Sequence, residues 1–471
     1  MNKPITQKRT IIYYFLTTLS IVVSCHDIAY ADNLLNIYHK AVQNDARMAS
    51  AKGAYEAGIE KLPQGRSQLL PTINFNTEKT YSSSALAYDA GSPFQSGDRN
   101  YEDLKYTTII TQPIFRMQNI ASYQQSRAQT AAAEEQYIYA KQDLILRVAQ
   151  AYFDLLSAQQ ILAAASANTA AMKVQDEKAK IQLSLGSGSR LEASEAKAKL
   201  ELARAREFAV RDDLVNKQQA LRRITNEPPG ALDEPSPDFP LIYPSPNDLG
   251  AWVTLADSSY PQIKALRFNV EAAEKEVSRT QAGHFPTLDL IAQYSSGRST
   301  GSAYSSAASD TEIKSAGLRL ELPLYQGGLI SSRAREAVGN LDKARGELED
   351  AQRDLVAQVT QHFNGTINGI DLVRALEQAL VSSQEASRAN KIGLELGTRN
   401  QVDYLNAQQQ VYDVARDLAK ARQDYIMSHL RLMSLAGKLT EYELTSLSTY
   451  LVPSQNKGFS NDGDDRKSSA P

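Results

Sequence analysis

Between Arg116 and Leu185 the chain contains neither glycine nor proline. That run can form one helix of roughly 105 Å at 1.5 Å per residue. Along it Leu144, Val148, Ala151, Leu155, Ala158 and Leu162 recur alternately four and three apart, a heptad seam whose small members permit close packing. A second stretch, Leu324 through Val452, also lacks proline, although Gly339, Gly346, Gly365 and Gly369 weaken a helix there. Gly186-Ser187-Gly188 and Gly397-Thr398 supply the left-handed turns that would fold each long helix back on a partner.

Other segments change period. Ala316, Leu318, Leu320 and Leu322 alternate with Gly317, Arg319 and Glu321, and Leu288, Leu290, Ala292 and Tyr294 alternate with Asp289, Ile291 and Gln293. Leu104, Tyr106, Thr108 and Ile110 stand opposite Lys105, Thr107 and Ile109, while Ile73 and Phe75 stand opposite Asn74 and Asn76. Strands with one apolar and one polar face suit a membrane barrel, and a globular sandwich with one wet face shares the pattern. Loops rich in Ser, Tyr, Gly and Asp are predicted at 80–101 and 295–312. Four strands cannot close a barrel, because the smallest membrane barrels have about eight. The barrel reading therefore demands more than one chain.

The elements come twice. Ser67–Phe75 aligns with Ala282–Leu290, placing Pro71 over Pro286, and Ile110–Phe115 aligns with Leu320–Tyr325, placing Pro113 over Pro323. Pro113 and Pro323 are read as strand-to-helix turns. Leu185-Gly186-Ser187 falls on Leu396-Gly397-Thr398. A steady offset of this kind marks an internal repeat. The predicted organisation is a leader at 1–31, a first repeat at 32–227, a proline-rich linker at 228–249, a second repeat at 250–440 and a C-terminal segment at 441–471. The linker holds seven of the 17 prolines and reads as stiff and extended; the chain after Val452 is polar and reads as disordered.

Lys3, Lys8 and Arg9 precede a short apolar run, Ile11 to Val23, and then Ala29-Tyr30-Ala31, the pattern of a secretory leader cleaved after Ala31. Val22-Val23-Ser24-Cys25 offers a rival reading, a lipidated Cys25. Over the whole chain 51 Lys and Arg face 54 Asp and Glu, a balance that argues against nucleic-acid binding. The single cysteine excludes an intrachain disulfide.

No pattern in the chain points to catalysis. The five histidines are scattered, without metal-ligand spacing, and neither a phosphate-binding loop nor a dinucleotide fingerprint occurs. Gly297-Arg298-Ser299-Thr300-Gly301 matches a nucleophile elbow formally, but a Ser-rich loop follows where that motif needs a helix. No enzyme activity, cofactor or metal site is expected. Glu192 and Glu195, the equivalents of Asp403 and Asn406 in the other repeat, read most simply as first-turn acids that favour a helix N-terminus. In a symmetric oligomer, one acid per chain facing the axis would instead make a ring of charge that selects cations.

Leu69-Leu70-Pro71-Thr72, Gly283-His284-Phe285-Pro286-Thr287-Leu288-Asp289-Leu290, Leu322-Pro323-Leu324-Tyr325-Gln326-Gly327-Gly328 and Gly397-Thr398-Arg399 followed by Val402-Asp403 resemble the TolC family of outer-membrane channel-tunnel proteins. The resemblance spans residues 32 to about 450. It implies a mainly α fold with β-strands: a homotrimer sharing one twelve-stranded barrel in outer-membrane lipid. Long antiparallel helices would continue it as an α-barrel into the periplasm of a Gram-negative bacterium. The linker and C-terminal part would form an equatorial belt. The implied function is passive export, of drugs or of secreted protein, from an inner-membrane transporter (ABC, RND or MFS type) and a periplasmic adaptor docked at the turns Gly186, Ser187, Gly188, Gly397 and Thr398. By position, Asp403 matches a pore-aperture acid and Arg399 a tip-closing link, with Glu192 at its acidic partner position. Asn406 stands where the family has a second aperture Asp, and Leu394 where it has a linking Tyr. A surface-anchored coiled-coil scaffold or adhesin would keep the helices and lack the pore. A periplasmic adaptor would show one hairpin beside a compact β-rich domain rather than two tandem hairpins.

With one charge layer missing, the aperture is expected to bind multivalent cations weakly, and Asn406→Asp to strengthen their block. Arg399→Ala is expected to raise single-channel conductance by loosening the closed tip.

Overall fold

The computed structural model describes residues 33–453, except 92, 94, 95, 237 and 238. Cleavage after Ala31, lipidation at Cys25 and the polar tail from Ser454 fall outside the described residues. The first repeat comprises α1 (Leu34–Asn44), α2 (Ala46–Ile59), α3 (Lys61–Ser67), β1 (Thr72–Leu86), β2 (Gly97–Phe115), α4 (Met117–Ser184) and α5 (Arg190–Thr225). A short strand β3 (Asp233–Pro235) follows. The second repeat comprises α6 (Leu249–Ser259), α7 (Pro261–Gln281), a 3-10 turn (Ala282–His284), β4 (Thr287–Ser299), β5 (Ser309–Glu321), α8 (Leu329–Glu395) and α9 (Gln401–Leu435). The chain then forms α10 (Glu441–Ser448) and β6 (Leu451–Pro453). The fold is mainly helical with four long strands, and the element order of the first repeat recurs in the second.

The uninterrupted run after Arg116 forms α4, a 68-residue helix. Its seam residues Leu144, Val148 and Leu155 are fully buried. Helix α8 runs 67 residues straight through Gly339, Gly346, Gly365 and Gly369. Two of these are contact points rather than weak points. A Cβ on Gly365 would meet Ser428 Oγ at 2.9 Å, and one on Gly369 would meet Tyr425 Cβ at 3.2 Å. The missing side chains let α9 approach closely.

The long strands form one antiparallel sheet in the order β1-β2-β4-β5. They outrun the predicted strands, so the connecting loops shrink from 80–101 and 295–312 to 87–96 and 300–308. Cross-strand ion pairs extend the ladder past the apolar positions: Lys79–Glu102 at 3.2 Å and Arg298–Asp310 at 2.8 Å. Pro113 is a second correction. It lies inside β2 opposite Asp289, at a register shift before Phe115, and the connection to α4 begins only at Arg116. A bulge tolerates the missing N–H. Pro323 does lie in a strand-to-helix connection, between β5 and α8. The formal elbow around Ser299 ends β4 and leads into a loop and β5, with no helix after it.

The linker is tied down rather than free. Its strand β3 pairs with β6 of the C-terminal segment. The Tyr152 hydroxyl donates to the Asp233 carbonyl at 2.8 Å, and the Ile242 amide donates to the Tyr425 hydroxyl at 2.7 Å. The main apolar core lies at this level, where Leu34, Ile37, Val148, Tyr152, Ile370, Tyr425 and Leu444 pack together. A charged brace adjoins it. Asp45 is buried at the α1–α2 break, where it accepts from the Met48 amide at 2.7 Å and from both ends of the Arg147 guanidinium at 2.8 and 3.0 Å.

Arg147 holds the Asp45 carboxyl below the usual carboxylate range. A lowered folded value gives stability that is complete above about pH 4 and is lost as pH falls through that folded value. Asp45→Asn should therefore cost about 2 kcal/mol near neutral pH, because it removes the charged hydrogen bonds to Arg147 while Asp143 still pairs with that guanidinium. Denaturant unfolding of the detergent-solubilised protein across pH 3–7 should show that cost shrinking toward the acid end. A pH-independent difference would mean that the pair is not a brace.

Candidate functional site

Each helical hairpin turns through the same backbone device. In the first, the Gly186 amide bonds the Leu183 carbonyl at 3.1 Å and the Ser187 amide bonds the Gln182 carbonyl at 2.9 Å. In the second, Gly397 bonds Leu394 at 3.2 Å and Thr398 bonds Gly393 at 2.8 Å. Both Gly186 and Gly397 have φ of +73°, the left-handed conformation that favours glycine at this position. The next helices start on polar caps. Ser189 and Glu192 exchange side-chain and backbone bonds at 2.9 and 3.1 Å, and Asn400 accepts from the Asp403 amide at 2.8 Å.

These caps decide where the predicted site residues go. The Glu192 carboxylate is taken by the amide of Ser189, and within one chain it makes no ion pair with Arg399. Arg399 instead reaches Asp403, one helical turn on, with Nη1 3.9 Å from Oδ2. Its Cγ lies 2.7 Å from where a Cβ on Gly393 would sit, so this glycine leaves the room in which the arginine lies. Leu394, at the expected linking position, contributes its carbonyl to the turn. Asn406 is exposed, and its Oδ1 accepts from Lys199 Nζ at 2.9 Å. Sequence reasoning missed Lys199, although it stands seven residues after Glu192 and so on the same face of α5.

The tip half of the hairpins is held by few apolar groups: Met172, Ala179, Ala196, Leu200, Ala203 and Leu405 form its small core. Polar contacts supplement them. Gln401 Nε2 donates to Gln175 Oε1 at 2.7 Å, and Asn168 Nδ2 donates to Gln409 Oε1 at 3.4 Å.

At the other end, the sheet presents two unlike faces. The cross-strand register puts Ile73, Phe75, Tyr106, Ile110, Leu290, Tyr294, Leu318 and Leu320 on one face, all exposed in the single chain. Ile73, Phe75, Leu318 and Leu320 are each more than 60% exposed, a cost in water that marks a surface made for lipid. Glu78, Lys105, Gln293, Ser295, Asp289 and Arg319 share the opposite face. A cavity lies against that polar side, lined by Glu78, Thr80, Asp103, Lys105, Ser295 and Gly297 among others. Among the described residues no helix is long and apolar enough to cross a membrane. Among the same residues no group of three or more His, Cys, Asp or Glu could hold a metal ion.

The outer membrane efflux protein family matches the chain over residues 37–227 and 252–438. The chain is 28% identical over 426 residues to the alkaline protease secretion protein AprF of Pseudomonas aeruginosa, covering 90% of this chain and 88% of that relative. It is 29% identical to the outer membrane protein TolC of Vibrio cholerae, over 90% of this chain and 94% of that one. Its fold is shared with the crystal structure of the outer membrane protein VceC of Vibrio cholerae, with a TM-score of 0.70 and 18% identity across 86% of this chain and 96% of the other. A sheet with one lipid-suited face, two congruent helical hairpins and a family match across both repeats lead to one conclusion: the chain belongs to the outer membrane efflux protein family.

Proposed function

We propose that three copies of this chain form a passive exit duct through the outer membrane. The observation that carries the reading is the open sheet. Among the described residues β1 and β5 each have one unpaired edge, and they run in opposite directions. The β5 edge of one copy can therefore pair antiparallel with β1 of the next. Three sheets closed in this way make a twelve-stranded barrel, within the range of known membrane barrels of about 8 to 26 strands. The apolar faces point to lipid and the polar faces line a lumen. The long helices extend that lumen as an α-barrel into the periplasm.

Cargo enters from a periplasmic adaptor and an inner-membrane transporter of the ABC, RND or MFS type, docked at the turns around Gly186–Gly188 and Gly397–Thr398. Likeness to AprF, named for protease secretion, supports polypeptides among the cargo, beside the small molecules implied by an efflux family. Asp403 and Asn406 stand at the aperture, and the Arg399–Asp403 pair steadies the closed tip. One exposed pair is worth about 0–1 kcal/mol, so the effect depends on its threefold repetition.

Lys199 alters the expectation for Asn406. An aspartate at 406 would lie against an ammonium group and be neutralised, so Asn406→Asp alone should leave block by a trivalent cation little changed. The double variant Asn406→Asp with Lys199→Gln frees the new charge. Unit charges about 4 Å apart interact by about 1 kcal/mol even in water, so block by a trivalent ion should tighten by about tenfold or more.

Single-channel recording in planar bilayers, with the cation on the periplasmic side, reads both variants against the wild type. Equal block in the single and double variants would remove Lys199 from the aperture. Arg399→Ala should raise conductance, and unchanged conductance would place the latch elsewhere. Absence of current from a folded oligomer, in the wild type and in Arg399→Ala alike, would favour the scaffold reading over the duct.

A further inference from the structure

Three connections meet at the foot of the sheet: β2 into α4, the 3-10 turn into β4, and β5 into α8. Between them lies a cavity of about 360 Å³ whose lining includes Arg116, Arg279, Arg333, Gln118, Gln326 and Glu321. It opens on the polar side of the sheet. Glu321 pairs across the strands with Thr287, two residues from the Asp289–Arg319 pair on the same face. Arg116 reaches across to Asp289.

The charge on this wall is uneven. Arg116 spends Nε and Nη2 on Asp289, and Arg279 spends the same edge on Glu276. A guanidinium held by that edge still carries donors on Nη1. Arg333 has no ion pair or hydrogen bond among the described residues, and it faces the cavity. Asp289 and Glu276 neutralise those two guanidinium groups, so among the lining residues Arg333 is the arginine without a carboxylate partner, and Glu321 is the carboxylate that shares the wall with it. A Cβ on Gly283 would come within 3.1 Å of Gln118 Nε2 and Ile330 Cγ2, so the glycine keeps this space from filling. Farther up the same face the wall turns neutral, with Thr111, Ile291 and Gly317 in one row and Ile109, Gln293 and Ser315 in the next.

We infer that this cavity is a luminal binding site for oxyanion groups, phosphate or carboxylate, carried by molecules in transit. The inference rests on the duct reading for its cargo. The site itself lies within one chain. Guanidinium forks match planar carboxylates and phosphate edges, and Arg333 supplies a whole unengaged fork. Its place on the polar face assigns the anion to luminal cargo rather than to the surrounding lipid.

Inorganic tripolyphosphate is a suitable probe, titrated calorimetrically into the full-length detergent-solubilised protein. Saturable binding is expected, weakened at least about tenfold by Arg333→Gln and less by Arg333→Lys, which keeps the charge but loses the fork. Arg335→Gln removes the same charge about 200° around the helix and should bind as the wild type does. Lack of saturable heat, or equal weakening by Arg333→Gln and Arg335→Gln, would overturn the site. In bilayers, tripolyphosphate should reduce wild-type current and spare the Arg333→Gln channel. Binding with no effect on a measurable current would overturn the luminal placement. Binding by a protein that never conducts would remove the duct reading and leave the anion site standing.

Discussion

Hydrocarbon offers a backbone amide no partner, and each unsatisfied group there costs several kcal/mol. That constraint governs the molecule, because its sheet carries an apolar face suited to lipid and two bare edges, β1 with 15 residues and β5 with 13. A single copy in a bilayer would leave both edges unsatisfied, and closure with other copies is the direct remedy. The helices inherit the result. Helix α4 follows β2 across the single residue Arg116, and α8 follows β5 across residues 322–328, so the spacing of the strands sets the spacing of the helices hung from them.

Along those helices the nature of the packing changes. At the level of the linker, α1, α4, α8, α9 and α10 share a broad apolar core braced by Asp45 and Arg147. Toward the turns the core thins to a few alanines with Met172, Leu200 and Leu405, and side-chain amides take over. A hydrogen bond that can be exchanged for water contributes only about 0.5–1.5 kcal/mol net. At the level of the linker the hairpins are therefore held more firmly than at the tip ends of α5 and α9.

Much of this was legible in the chain. The run without glycine or proline after Arg116 gave α4 to within a residue or two, because a 3.6-residue period sustained over many turns has no competing reading. The alternating segments gave four strands and assigned their faces correctly. Strand ends were less legible, since residues such as Lys79, Glu102, Arg298 and Asp310 look like loop in one dimension and become ladder only when their partners face them. Pro113 misled for a related reason: a bulge is a property of two strands, not of one. The site residues were the least legible. Position alone aligned Arg399 with an acid at 192, but the capping geometry of Ser189 had already claimed Glu192, and Gly393 directed Arg399 toward Asp403. Lys199 became visible only when α5 and α9 were set side by side.

Within the chain, the second strand of the first hairpin, β2, already pairs with the first strand of the second hairpin, β4. In the proposed assembly, β5 meeting β1 of the next copy repeats that seam between molecules. The covalent duplication thus supplies a template for oligomerisation, and a ring of three chains becomes a ring of six quasi-equivalent hairpins. Only alternate seams are crossed by a peptide linker. Mutations at the internal seam and at the subunit seam would meet nearly the same local geometry, yet only the second would answer to protein concentration.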